Sequence, residues 1–326
     1  MRAIWKKAAD TASRGSTLLI FIGLCAAIFI LTDLLKIGNN SEGWIFLELG
    51  NIRNILNQIS INAIIAFGMT LVILVKGIDL SVGSMVAVAG VALAIFFIQL
   101  EIPLLLSYLL VLITGSLVGF SNGIMVTKVK LPPFIVTLAS YQIFRGLAFV
   151  LVNGQAKFTS DESFKIIGNR FLFGFMPISI LVMLVIFVFY QLLLSRTAAG
   201  RRFYLTGGNE EAATFAGIRV DRVKITAYTL VGVSSAVSGI LLASRLGSGS
   251  PNVGVGYELD AIAAAVVGGT SFTGGVGTIT GTLIGALILG VISNGLNLLG
   301  ISPFFQQIVR GLIILGAVIF GSKKRR

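Results

Sequence analysis

The sequence predicts an all-α polytopic membrane protein, and its composition and hydrophobic pattern both lead to that prediction. Hydrophobic residues make up 56% of the 326 residues, charged residues only 12%, and the mean hydropathy is +0.97. Soluble domains average about 45–50% apolar and about 25% charged residues, so this chain has too few charges to cover a surface in water. Apolar runs of about twenty residues match a helix that crosses a bilayer, and they are too long for barrel strands.

Ten apolar spans are predicted within one membrane domain, residues 1–326. The first follows basic residues, as in a secretory signal, but it is long and has no small-residue cleavage site, so it is predicted to be an uncleaved span. The eighth is short and rich in glycine, which leaves open whether it crosses completely or is re-entrant. The ten spans are residues 16–35, 59–75, 82–100, 104–126, 132–152, 175–194, 225–246, 259–274, 276–299 and 303–320.

The distribution of basic residues predicts the orientation. If both termini are cytoplasmic, seventeen of the twenty-five Lys and Arg residues lie in cytoplasmic segments. The net charge of +12 is then explained by the positive-inside rule, and no nucleic-acid partner is needed. Only Arg145 and Arg310 lie within spans, where each should face the bundle interior, another subunit or water, or else snorkel to the interface.

The residue inventory argues against catalysis. Histidine is absent and Cys25 is the only cysteine, so the usual metal ligands and the usual general base at neutral pH are missing. We therefore predict no catalytic residue, no metal site and no cofactor bound by this chain. The glycines at 274, 275 and 277 are not followed by the Gly-Lys-Ser/Thr of a phosphate-binding loop, so ATP binding is not expected either.

Three further segments are distinctive. Residues 51–58 resemble a short interfacial helix before the second span, and 153–174 form a polar external loop. Residues 62–88 are weakly similar to 260–286, with five identities that indicate a duplication or a chance match in so apolar a composition. Glycines crowd 268–285, which favours close helix packing, a hinge, or both.

The segment 195–224 is the largest predicted cytoplasmic stretch and contains a short helix. Asn209 can cap this helix, Glu210 and Glu211 suit its first turn, and Gly217 can end it. Its small residues Ala212, Ala213, Ala216 and Gly217 are suited to docking into the groove of a partner. A solvated connector is the alternative interpretation.

Several motifs together resemble the permeases of ribose-type sugar ABC importers, from about residue 51 to the end of the chain. Lys76, Ala199 and Leu205-Thr206 depart from that pattern, which leaves the substrate and the exact partner open. The motifs are GIDLSVG at 77–83, GR at 200–201, GGNEEAA at 207–213, GI at 217–218, GYELDAIAA at 256–264, GGTS at 268–271 and NGLNLLG at 294–300.

The resemblance implies a subunit of the bacterial inner membrane that pairs with a second permease chain, identical or different. It also implies a cytoplasmic tandem ATPase, which would use ATP and Mg, and an external sugar-binding protein. Within 195–224, the resemblance places the coupling helix that docks on the ATPase at Glu210–Gly217. The candidate coupling residues are Gly200, Arg201, Gly208, Asn209, Glu210, Glu211, Ala212, Ala213 and Gly217.

Residues that line the translocation path are predicted from the chemistry of sugar binding, which uses amide side chains and aromatic faces. Hydrogen bonding between helices is the alternative role for each of them. Asp79 is either a helix-breaking element near the path or, with Ser81, a cap of the third span. The candidates are Asn62, Asp79, Phe134, Tyr141, Asn294, Asn297, Gln306 and Arg310.

Two other classes of function remain as alternatives. A secondary transporter or channel would need acids within the membrane, and Asp33, Asp79, Glu258 and Asp260 all sit at span ends. A membrane enzyme would need a nucleophile and a base close together, and no such pair stands out. The solute could be ribose, another pentose, a galactoside, a nucleoside or a sugar-like signalling molecule.

Overall fold

The computed structural model describes residues 18–34, 44–172, 174 and 176–323, and they are mostly helical. The last turns of α1 and α3 are π-helical. Four short strands form two antiparallel pairs, β1 with β4 and β2 with β3. The helices are α1 Leu18–Leu34, α2 Leu49–Leu74, α3 Val82–Gln99, α4 Leu104–Thr127, α5 Pro133–Leu151, α6 Glu162–Asn169, α7 Ile178–Arg196, α8 Ala198–Gly208, α9 Glu210–Phe215, α10 Val220–Leu246, α11 Tyr257–Val267, α12 Ile279–Leu298 and α13 Pro303–Lys323; the strands are β1 Lys157–Phe158, β2 Phe171–Leu172, β3 Met176–Pro177 and β4 Ser248–Gly249.

Within the described residues, seven helices are long and apolar enough to cross a membrane: α2, α3, α4, α5, α7, α10 and α12. The other three predicted spans correspond to α1, α11 and α13, so the total of ten remains a prediction. The cytoplasmic location of the termini also remains a prediction. Residues 1–17 and 324–326 lie outside the described part of the chain.

Two predicted boundaries need correction. Residues 51–58 are not a separate interfacial helix, because they form the first turns of α2 without a break. The external segment 153–174 is not only a loop, since it contains α6, β1 and β2. The start of α2 was not predicted, because residues 51–58 are rich in polar side chains. In the structure Asn51 bonds within the protein, while other polar residues in the segment remain exposed.

Proline sets the start of four of the spanning or near-spanning helices. Pro103, Pro132 and Pro177 precede α4, α5 and α7 directly, and Pro303 is the first residue of α13. Proline has no N–H to leave unpaired at a helix start, and its fixed φ suits that position. These prolines explain why the predicted and observed starts agree closely here.

The bundle has a central layer and an outer layer. α2, α3 and α10 are mostly buried, whereas α4, α5 and α7 expose most of their apolar side chains. α4 approaches α10 through Gly115, Gly119 and Gly123, where an added Cβ atom would overlap α10, including the carbonyl of Tyr228 at Gly119. Small residues four apart allow two helix backbones to come this close in a membrane.

α11 has eleven residues, which at 1.5 Å per residue gives about 16 Å, roughly half of the hydrocarbon thickness. The predicted eighth span, 259–274, is therefore helical only as far as Val267 and continues as a turn into α12. Close packing between these two helices involves Gly268 and Gly281, each of which lies against the backbone of the other. The turn also has left-handed glycines at 269, 274 and 275. Close helix packing is therefore observed for the glycine cluster, and the hinge stays a prediction.

The two weakly similar segments have related local structures. Each contains the end of a helix, a non-helical turn and the start of the next helix: α2 to α3 and α11 to α12. At equivalent places in the two turns, Lys76 has φ 62° and Gly274 has φ 77°. A non-glycine residue in this left-handed region is uncommon, so this shared conformation supports the duplication.

Candidate functional site

The segment between α7 and α10 forms two helices, although the sequence predicted one. Thr197 caps α8, since its side chain accepts a hydrogen bond from the Gly200 N–H at 3.0 Å. Asn209 caps α9, accepting from the Ala212 N–H at 3.0 Å. Gly217 follows α9 with φ 79°, as expected of a residue that ends a helix.

Most of the candidate coupling residues face outward, but two do not. Arg201, Gly208, Asn209, Glu211, Ala212 and Gly217 are exposed, and Glu210 is half-buried in an ion pair with Lys224 at 2.8 Å. Gly200 is buried against the backbone of Leu193 and Leu194, and Ala213 is only 3% exposed. Neither is placed to contact a partner, because Gly200 packs against the end of α7 and Ala213 lies on the inward face of α9.

Phe215 was missed by the sequence reasoning. It is the last residue of α9 and its side chain is 91% exposed. A large aromatic side chain this exposed beside a predicted docking helix is a candidate anchor for a partner. The signal was present in the sequence, since Phe215 is the one large apolar residue between Asn209 and Gly217.

α8 lies against both of the turns in the two weakly similar segments, 62–88 and 260–286. A Cβ atom at Gly207 would overlap the Leu74 carbonyl oxygen and approach the Gly275 nitrogen to 2.5 Å. The Gly275 N–H donates to that same Leu74 carbonyl at 2.9 Å, and the Tyr204 hydroxyl donates to the Gly277 carbonyl at 2.9 Å. The end of α2, the end of α8 and the turn that leads from α11 into α12 therefore meet at one backbone junction, which we call the glycine junction and define by Leu74, Gly207 and Gly275.

A polar cleft lies between α2, α11, α12 and α13. Asp260 and Arg310 form an ion pair at 3.3 Å, Asn62 donates to the same Asp260 oxygen at 3.5 Å, and Arg310 donates to the Ser293 hydroxyl at 3.2 Å. The cleft is small, with a cavity volume of about 30 Å³, and part of it is open to the surroundings. The predicted interior placement of Arg310 is confirmed. The lining residues are Gln58, Ile59, Asn62, Asp260, Ala264, Ala286, Leu289, Gly290, Ser293 and Arg310.

The other predicted path residues do not line this cleft. Asn294 exchanges hydrogen bonds with Asn51 across α2 and α12, and Gln306 donates to Asn297 at 2.7 Å. These three amides form the helix-to-helix contacts that were the alternative interpretation for them. Phe134 and Tyr141 lie on α5, where Phe134 is 54% exposed, and α5 packs against α3 and α4.

Asp79 is fully buried in the non-helical stretch before α3. Its carboxylate accepts from the Ser81 N–H at 2.8 Å and from the Ser81 hydroxyl at 2.6 Å. The Ser81 hydroxyl in turn accepts from Asn122 of α4 at 3.0 Å. Asp79 thus satisfies backbone at the start of α3, whereas the side chain of Ser81 does not cap that helix.

Arg145 is buried in the bundle and secures the loop before α11. One guanidinium nitrogen donates to the carbonyls of Pro251 and Val253, both at 2.7 Å, and the guanidinium lies 5.6 Å from the Tyr141 ring. Arg145 therefore lies in the interior of the chain, which is one of the placements expected of an arginine within a span. The loop that Arg145 holds leads directly into the half-span α11.

We expect Arg145→Met to destabilise the chain by about 2–3 kcal/mol, because two buried carbonyls lose a charged donor while the apolar stem is retained. Thermal unfolding of the purified protein would measure this, and protease cleavage near residue 252 should increase. Arg196→Met, a change at an exposed arginine at the end of α7, is the matched control. Equal melting temperatures for the two variants would contradict the role assigned to Arg145.

Comparison with known proteins decides what kind of protein carries these features. Residues 51–318 match the family described as the permease component of a branched-chain amino acid transport system. The chain belongs to this permease family. Among relatives, the ribose import permease of Bacillus subtilis is 46% identical over 305 residues, which covers 93% of each chain. No solved structure matches the chain.

The chain is also similar to other sugar permeases. The ribose import permease of Haemophilus influenzae is 45% identical, with 86% of this chain and 88% of the relative covered. The L-arabinose transport system permease of Escherichia coli is 43% identical, with 85% and 84% covered. The resemblance to sugar permeases is confirmed, and this family member is a multi-pass membrane subunit of an ABC transporter rather than an enzyme.

Proposed function

We propose that this permease imports a monosaccharide of the ribose type. The observation that carries the proposal is the 46% identity to a ribose import permease over 93% of both chains. The family description names branched-chain amino acids, but the relatives with 43–46% identity are named for ribose and L-arabinose. A neutral, hydroxyl-rich solute also suits the Asn62, Ser293 and Asp260–Arg310 groups of the cleft.

The proposed partners are those that a permease of an ABC importer requires. A cytoplasmic tandem ATPase hydrolyses ATP with Mg and docks on α9 and the exposed end of α8. A sugar-binding protein delivers the solute on the external face. A second permease chain, identical to this one or different from it, completes the membrane unit. This chain itself binds no cofactor.

The proposed mechanism is alternating access. Closure of the ATPase moves α9, and α8 passes this movement to the glycine junction, where it reaches the end of α2 and the turn that begins α12. Because both helices also line the cleft, a displacement at the junction alters the cleft from below. The proposal is supported by continuous backbone contact from α8 to Leu74 and Gly275.

Reconstitution tests the function. Proteoliposomes that contain the permease, a tandem ATPase and a ribose-binding protein should accumulate radiolabelled ribose only when ATP is present. A large excess of unlabelled leucine should not compete. Accumulation of leucine instead, or ribose uptake driven by an ion gradient without the ATPase, would contradict the proposal and favour an amino acid permease or a secondary transporter.

A further inference from the structure

The cleft between α2, α11, α12 and α13 lies at half depth along α2. Asn62 is the fourteenth of the 26 residues of α2, about 20 Å from each end at 1.5 Å per residue. Asp260 lies in the first turn of the half-span α11, and it is the residue that corresponds to Asn62 in the weakly similar segment. In several transporter folds, solute sites lie near the middle of the membrane where repeats meet at discontinuous helices.

The polar groups of the cleft are incompletely paired. The buried Oδ1 atom of Asn62 has no hydrogen-bond partner among the described residues. The Asp260–Arg310 pair rests on one contact of 3.3 Å, although a guanidinium has five donors and a carboxylate accepts through two oxygens. An ion pair built only to hold α11 and α13 together is expected to be shorter and bidentate. The unused donors and acceptors point to a ligand.

The charge and shape of the cleft restrict the ligand. The side chains of Asp260 and Arg310 are 15% and 36% exposed, and their charges cancel, so the cleft favours a solute without net charge. Hydroxyl groups both donate to a carboxylate and accept from a guanidinium, which matches this pair. Ile59, Ala264 and Leu289 provide an apolar wall for the C–H face of a sugar ring.

We propose that this cleft is a low-affinity site for a neutral polyhydroxylated solute, in which Asp260, Arg310, Asn62 and Ser293 contact the hydroxyl groups during translocation. The proposal rests on the proposed function, since it names the site at which the imported sugar is held. Low affinity follows from the geometry, because the sugar must widen a cleft of about 30 Å³ and displace the existing ion pair, and only the surplus appears as binding.

The test uses the complete reconstituted importer with ribose as the probe. The double variant Asp260→Asn/Arg310→Gln removes both charges together, so no unpaired charge is left within the membrane. The control Glu162→Gln/Lys165→Gln removes an ion pair of 3.1 Å on α6, outside the cleft. A second cleft variant, Asn62→Leu, removes the amide without touching the ion pair.

Both cleft variants should lower ATP-driven ribose uptake by about tenfold, the loss expected when hydrogen bonds to charged or buried groups are removed. ATP hydrolysis stimulated by the sugar-loaded binding protein should stay within about twofold of the wild type, because α9 and the glycine junction are intact. The control pair should transport normally.

Two outcomes would overturn the cleft assignment. If uptake and stimulated hydrolysis fall in the same proportion, the ion pair only holds the helices together. If uptake is unchanged in both cleft variants, the sugar takes another path. Absence of ribose uptake by the wild-type importer would instead reject the proposed function, so the two failures are distinguishable.

Discussion

The Gly207→Ala permease should lose most of its ATP-driven uptake and melt at a lower temperature than the wild type. Its new methyl group would overlap the Leu74 carbonyl oxygen and lie 2.5 Å from the Gly275 nitrogen. Both neighbours are backbone atoms joined by a hydrogen bond, so neither can turn aside as a flexible side chain can. Overpacking of this kind typically costs about 1–3 kcal/mol, and more where backbone must move.

The adjacent glycine provides the control for this prediction. A Cβ atom at Gly208 would meet nothing within 4 Å, so Gly208→Ala adds the same methyl group one residue along without a clash. Thermal unfolding in detergent and ribose uptake in proteoliposomes should separate the two variants, with uptake at least about tenfold lower for Gly207→Ala. If both variants behave like the wild type, α8 does not pass movement to α2 and α12 through the glycine junction.

The fold was largely predictable because the membrane imposes a simple rule on the sequence. Backbone groups in lipid must be paired within a helix, so long apolar runs identify spanning helices, and prolines marked several of their starts. Two places failed for physical reasons. The start of α2 has no apolar run, because Asn51 bonds within the protein while Asn54 and Gln58 remain exposed, and α8 has none because several of its side chains are exposed.

The candidate site was less predictable, since its parts are distant in sequence. Asn62 and Arg310 were predicted for the path, and both donate hydrogen bonds to Asp260. Asp260 and Ser293 were not predicted, because only the packing of α11 and α12 brings them into the cleft. Asn294 and Gln306 have the same side-chain chemistry as Asn62, yet their partners are other amides. Residue type alone could not tell an amide that lines the cleft from one that bonds between helices, because the role depends on which helix lies opposite.

Phe215→Ala should weaken the association between the permease and its ATPase by about thirtyfold. Burying an aromatic side chain contributes about 1.5–3 kcal/mol, and exposed aromatic anchors commonly dominate the energy of an interface. Phe215 is 91% exposed at the end of α9, so removing its ring disturbs no packing within the chain. Co-purification of the ATPase with tagged permease, and stimulated ATP hydrolysis in proteoliposomes, would measure the loss.

Phe304→Ala is the matched control, because it removes the same ring from a side chain that is 78% exposed on α13. It should retain the ATPase and transport normally, while Phe215→Leu should recover part of the association through its remaining apolar surface. If Phe215→Ala binds the ATPase as tightly as Phe304→Ala does, the ring of Phe215 is not the anchor. The contact energy would then have to come from the small exposed residues Ala212 and Gly217, whose replacement by bulky charged residues would be the decisive change.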